Sequence, residues 1–186
     1  RAPRLPGAEI AVASSYDDFH GMRRALAGIG KLFLVSARDR FGVAHLCAKN
    51  GIVPPPYDRL RQQIAAVDAA IAAGVRHIVY LSIVNAAPDA VFILAHDHFH
   101  TEEYIRASAL DFTFLRASLY TDNVPQCVLA DDVIHAPAGQ GRDAWVTRDD
   151  IADAAASVLT TGGHEGRSYD VTGPEALTMD ETAERL

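Results

Sequence analysis

His96, Asp97, His98 and His100 crowd one short stretch, and Glu102 follows two residues on. An imidazole changes charge near neutral pH, so these side chains are suited to proton transfer. Imidazole and carboxylate together also suit zinc or a related ion, and a metal-dependent hydrolase is the activity such a run would support. On a helix His96 and His100 share a face while His98 points elsewhere, and no third ligand stands at a recognisable spacing; solvated side chains at a helix start are the plainer account. His98 and Glu102 are four residues apart, on one helical stripe with Thr101 and Ile105. Ser82 closes the apolar run His77 to Leu81. Ligands of open parallel sheets sit beyond the carboxyl ends of strands, so Ser82 to Asn85 is where chemistry is first sought. The acid pairs Asp131-Asp132 and Asp149-Asp150 read as turn and cap residues rather than as a catalytic dyad.

The elements that must position these groups follow from periodicity. From Gln62 to Ser82 a helix, a glycine stop and a strand run on without a break. Ile64, Val67, Ile71 and Val75 recur at helical spacing, Gly74 ends the helix, and His77 to Leu81 is β-branched and aromatic without alternation, as a strand covered on both faces reads. Upstream, Gly7 to Ala13 reads as a short strand, SSYDD as a turn, Asp18 to Ala27 as a helix stopped by Gly28 and Gly30, and Lys31 to Ser36 as a second buried strand. Periodicity fails between Ala37 and Leu60, where Asn50-Gly51 and Pro54-Pro55-Pro56 predict a loop or broken helix. Downstream come a loop over Ala86 to Val91, a helix from His96 to Ser108 and a strand at Phe112 to Arg116. Asn123 to Gly141 is irregular and rich in Pro and Gly, and reads as a cover over the site. Thr147 and Asp150 have capping-box spacing before the helical face Ile151, Ala154, Ala155, Val158 and Leu159. Ser168 to Val171 is the last strand, and Thr178 with Glu181 repeats the cap as a helix that the sequence cuts short.

The pattern predicts an α/β fold with a doubly wound parallel sheet. The 186 residues, 49% hydrophobic, are enough for one core and one domain, with a small substrate-covering part at about 120–145 and 165–186. A net charge of −7, with no basic run, argues against nucleic acid or an anionic membrane as partner. Cys47 and Cys127 form no CxxC pair and read as small core residues of a reduced, soluble, cytoplasmic protein. A small-molecule substrate is expected, and a homo-oligomer is left open.

The segments IAAGVRHIVYLS, HFHTEEYIRASALDFTFLRASLYTDNV, WVTRDDIADAAASVL and GRSYDVTGPEALT, in that order, resemble the NmrA-like branch of the atypical short-chain dehydrogenases/reductases. Within that branch the chain is most similar to zinc-independent NAD(P)H:quinone oxidoreductases. The resemblance implies a Rossmann-type fold, NADP or NAD as cofactor, and hydride transfer to a quinone or similar small planar carbonyl compound. It implies Ser82, His98 and Glu102 at the superfamily's serine, tyrosine and lysine places, with Ser82 and His98 orienting or protonating the acceptor. His98 packing or hydrogen-bonding at the site wall is the alternative. It further implies cofactor contacts at Tyr16, Asp17, Ser36, Ala37, Tyr80, Ser82, Ile83, Ala117, Ser118 and Leu119, and a planar substrate stacked on Tyr120. Tyr80 also reads as a core residue, and Tyr16 as one that stabilises its turn.

Three departures stand out. Glu102 and Glu103 occupy places where lysine is expected, and a carboxylate raises a neighbour's pKa where lysine would lower it. Hydride transfer by proximity, with solvent as proton source, tolerates this, and a non-catalytic dinucleotide sensor would suit it. The family's opening strand and glycine-rich phosphate turn have no match, and in the order 3-2-1-4-5-6 the absent strands 1 and 2 belong between strands 3 and 4. The sequence is therefore expected to be part of a longer folded chain lacking its first βαβ segment here. The 37–60 segment is also longer than the family's passage. The resemblance implies that residues after strand 2 read the 2′ position and so choose between NADH and NADPH, with Arg1 and Arg4 suggestive of a phosphate contact.

Overall fold

The computed structural model describes residues 6–36, 59–128, 133–134 and 138–185. Its frame is a sheet of four parallel strands in the spatial order β1-β2-β3-β4: β1 Lys31–Val35, β2 His77–Ile83, β3 Asp111–Ala117 and β4 Arg167–Val171. The register is continuous: Leu34 lies beside Tyr80, Tyr80 beside Phe114 and Phe114 beside Ser168. Every strand therefore delivers its carboxyl end to the same edge of the molecule.

Helices α1 (Phe19–Ala25), α2 (Arg59–Ala73) and α3 (Ile93–Ala107) pack on one face and α5 (Arg148–Thr160) on the other. Between β3 and α5 lie a 3-10 turn at Thr121–Asn123 and the single helical turn α4 (Val124–Cys127); α6 (Met179–Ala183) follows β4. Side chains alternate across β2, so Ile78 and Tyr80 join Leu34, Val67, Ile105 and Phe114 on the α2/α3 side. Val79 and Leu81 join Leu115, Val146, Ile151 and Val158 on the α5 side. Burial on both faces is why β2 carries an unbroken apolar run.

Local chemistry sets the element ends. The Asp18 carboxylate accepts the Gly21 N–H at 2.7 Å and caps α1, and this bond holds its carboxyl below the usual range. Gly74 ends α2 at φ 83°, in the left-handed region, and lets the Val75 N–H turn back to the Ala70 carbonyl at 3.1 Å. Thr178 and Glu181 form the full capping box of α6, while Thr147 caps α5 through the Asp150 N–H.

Three expectations shift. Gly7 to Ala13 forms no strand and is mostly exposed, because a strand needs a hydrogen-bonded neighbour and none of the described residues pairs with it. The histidine helix begins at Ile93, three residues before His96, because its N-cap is Phe92, which offers no capping side chain to read. The cover expected at Asn123 to Gly141 carries a helical turn and an antiparallel bridge, Val128 to Ile134. The segment from Ala37 to Pro56, Cys47 and Asp131-Asp132 lie outside the described residues.

Candidate active site

Backbone bonds tie the tips of neighbouring strands together, Val84 N–H to the Ala117 carbonyl between β2 and β3 and Ser118 N–H to the Val171 carbonyl between β3 and β4, each at 3.0 Å. Beyond them the chain turns at Asn85, whose φ of 59° is the left-handed value that asparagine tolerates. On the other side the Val146 N–H donates to the Leu119 carbonyl at 3.0 Å, drawing the segment before α5 over the tips. Gly173 makes that approach possible, since a Cβ there would stand 1.9 Å from the Trp145 carbonyl oxygen.

These elements enclose a cleft of about 430 Å³. Ile83, Val84 and Leu119 form its floor, and Val91, Phe92 and Ala95 form the wall at the start of α3. Its polar lining side chains are Asn85 and Asp143. The volume and the ratio of apolar to polar groups suit a small planar molecule.

Under the cleft runs a buried polar layer. Ser82 Oγ donates to Glu102 Oε1 at 2.6 Å. Glu102 is fully buried, and Arg116 grips its carboxylate with Nε at 2.9 Å and Nη2 at 2.6 Å while Arg106 Nη2 adds a contact at 3.1 Å. Beside this, Tyr80 OH meets His98 Nδ1 at 2.8 Å, and Arg59 Nη1 lies 3.3 Å from His98 Nε2. Arginine only donates, so Nε2 is the acceptor and Nδ1 carries the proton, which it donates to the Tyr80 oxygen. Burial, and then the Arg59 charge, push the His98 pKa down to about 3 from 6.5. Burial likewise raises the Tyr80 phenol.

The resulting arrangement assigns the expected residues differently. His98 is a neutral, buried link between Tyr80 and Arg59, its one N–H committed to the Tyr80 oxygen; the wall role, rather than the donor role, fits its surroundings. Glu102 has its oxygens committed to Ser82 and two arginines. Tyr80 has no exposed surface and packs edge-on to Phe114, 6.3 Å between ring centres, so it supports the floor from beneath rather than meeting a cofactor. Ile83 and Leu119 line the cleft; Ala117 and Ser118 are buried beside it, with Ser118 Oγ donating to Asp143 at 2.9 Å. Tyr120 is half-buried against the α5-side core, and the Arg148 guanidinium lies over one face of its ring, 5.2 Å from the ring centre. Ser36 follows β1 at the same rim, half-buried. Tyr16 packs against the α2/α3-side core and Asp17 pairs with Arg61, while Ala37 is outside the described residues.

The histidines do not converge. His96 Nε2 bonds the Ala90 carbonyl, His100 is exposed with its ring edge-on to Phe99, and among the described residues no three His, Cys, Asp or Glu side chains are grouped to hold a metal.

Arg116, Asp143 and the Val91–Ala95 wall were not singled out from sequence, whereas Asn85 lies in the Ser82 to Asn85 stretch that was. A guanidinium inside an apolar strand is a signal that a buried acid must answer it, and that signal was available for Arg116.

The pH dependence of stability follows from His98. A histidine whose pKa falls on folding takes its proton more readily in the unfolded chain, so stability is full above pH 6.5 and is lost as pH falls toward 3. Between pH 7 and pH 5 this amounts to about 2 kcal/mol. Urea titrations are expected to show that much less acid sensitivity in His98→Gln than in the parent; equal losses would refute the assignment.

A family model described as NAD(P)H-binding matches residues 3–162. Quinone oxidoreductase 2 of Escherichia coli is 32% identical over 190 residues, which cover 100% of this chain and 60% of that protein. NAD(P)H azoreductase of Xenophilus azovorans is 30% identical over 165 residues, covering 87% of this chain and 52% of its own length. Among solved structures, the Escherichia coli NADPH-dependent quinone oxidoreductase complexed with NADPH superposes with a TM-score of 0.75 at 31% identity, covering 92% of this chain and 56% of that one. The chain thus spans between half and two thirds of the length of these relatives.

Proposed function

The chain belongs to the NAD(P)H-binding family, and from that premise we propose that it acts as an NAD(P)H-dependent oxidoreductase on a quinone or similar small planar carbonyl compound. The observation that carries the reading is the apolar cleft at the carboxyl tips of parallel strands, where a doubly wound sheet holds its ligand. The similar proteins named above as quinone and azo reductases support the same chemistry.

The described residues fit the nicotinamide end of the cofactor. Ile83, Val84 and Leu119 offer a flat apolar floor, and Ser36, Ala117 and Ser118 lie along the same rim. Among the described residues no glycine-rich turn follows a strand into a helix, so the pyrophosphate cradle is not part of this fit. When bound, NAD(P)H supplies a hydride, which with one proton from water converts a quinone to its quinol. The chain's own part is positioning and exclusion of water: Val91, Phe92 and Ala95 press the acceptor toward the strand tips. Ser82, its proton held by Glu102, keeps the tip of β2 in place. Neutral His98 transfers nothing, and solvent provides the proton.

Cys127, read from sequence as a small core residue, is instead exposed as a free thiol, which a reduced compartment such as the cytoplasm suits. Among the described residues no helix is long and apolar enough to cross a membrane.

Loss of absorbance at 340 nm with added 1,4-benzoquinone, matched mole for mole by quinol, is the expected result. Tight dinucleotide binding without turnover would overturn the enzyme reading in favour of a sensor of dinucleotide state.

A further inference from the structure

Resting on that proposal, the structure points to a charge preference in the acceptor: we infer that Asp143 makes the cleft select planar acceptors that carry a positively charged side arm. Among the described residues Asp143 is the one charged side chain lining the cleft, and the rest of that lining is apolar apart from Asn85. The carboxylate is held at both ends. Its backbone exchanges N–H···O bonds of 2.9 Å with Leu177 in both directions, and Oδ1 accepts the Ser118 hydroxyl at 2.9 Å. Oδ2 has no hydrogen-bond partner among the described residues.

The arginines nearest in sequence are spent elsewhere. Arg142 donates to Glu181 at 2.8 and 3.0 Å and to the Ala176 carbonyl, pointing along the cover rather than across the cleft. Arg148 pairs with Asp122 at 2.8 Å and lies over Tyr120. A fixed, half-buried carboxylate against an apolar wall acts on a neighbouring charge through a medium less polar than water. A cationic arm lying within a few ångströms gains from it, and an anionic arm is repelled. Neither outcome alters the redox step, so Asp143 is a specificity residue and not a catalytic one.

The test uses three 1,4-naphthoquinones with the same ring: one with a quaternary ammonium arm, the neutral parent, and one with a sulfonate arm. In the full chain at low salt, the cation-to-anion ratio of kcat/KM is expected to fall about tenfold on Asp143→Asn, which keeps the volume and the bond from Ser118. Asp143→Glu is expected to keep the sign of the preference, and added salt to shrink it in the parent. A ratio unchanged by Asp143→Asn would overturn the inference while leaving quinone reduction standing. If none of the three is reduced, the proposed activity has failed, and the dissociation constants decide the inference separately: cation preference that disappears in Asp143→Asn sustains it, and equal binding of the three compounds ends it.

Discussion

Arg116→Met is expected to lower the unfolding free energy by about 3 kcal/mol, the range seen when one partner of a buried ion pair is removed. The cause lies in what stays behind. Glu102 has no exposed surface, and Arg116 supplies two of the four hydrogen bonds its carboxylate accepts, at 2.9 and 2.6 Å. Without them the carboxylate keeps Ser82 and Arg106, the latter a third exposed along its side chain and thus partly committed to water. For a chain of this length the loss corresponds to a fall in Tm of about 6–12 °C. The decisive comparison is a double-mutant cycle. Adding Glu102→Met to Arg116→Met removes the stranded charge and is expected to restore part of the lost stability, since a buried pair replaced by apolar groups is often neutral. Additive losses would show that the two side chains act separately.

Ala95→Phe is expected to reduce kcat/KM for quinone about a hundredfold or more. Ala95 is 3% exposed and stands on the α3 wall of a cleft of about 430 Å³. A phenyl ring rooted there takes the space that a planar acceptor would occupy. A displacement of the reacting atoms by about 1 Å is enough for a hundredfold loss in a reaction that depends on alignment. Overpacking costs about 1–3 kcal/mol, so circular dichroism should still report a folded protein with Tm lowered by several degrees. Full turnover in a folded Ala95→Phe protein would place the acceptor outside this cleft.

The frame of the molecule was legible because its signals are local. Short runs rich in apolar and aromatic residues announced β1, β2 and β3, and glycine or Thr-x-x-acid spacings announced where helices stop and start. Gly7 to Ala13 misled for the same reason: its short apolar run reads as a strand, but pairing is a property of neighbours. The site was legible only as a place. Ser82, Ile83 and Leu119 were singled out because strand tips are where ligands go, and of these Ile83 and Leu119 line the cleft. The roles of His98 and Glu102 depend on Arg59 and Arg116, 39 and 14 residues away in sequence, and periodicity is blind to that distance. A glutamate set where lysine is expected reads as a failed base until the guanidinium that claims it is seen. Asp143 was silent because nothing in its neighbourhood of sequence shows that the chain folds back over the tips.

The common direction of the four strands also bears on how such a molecule changes over generations. Because Ile83, Ala117 and Val171 end side by side, substitutions that retune the choice of acceptor are confined to a few loops on a single rim. The far rim, where His77 is locked to Thr113 at 2.9 Å, stays out of that experiment. A lineage can therefore explore new chemistry without renegotiating its foundations.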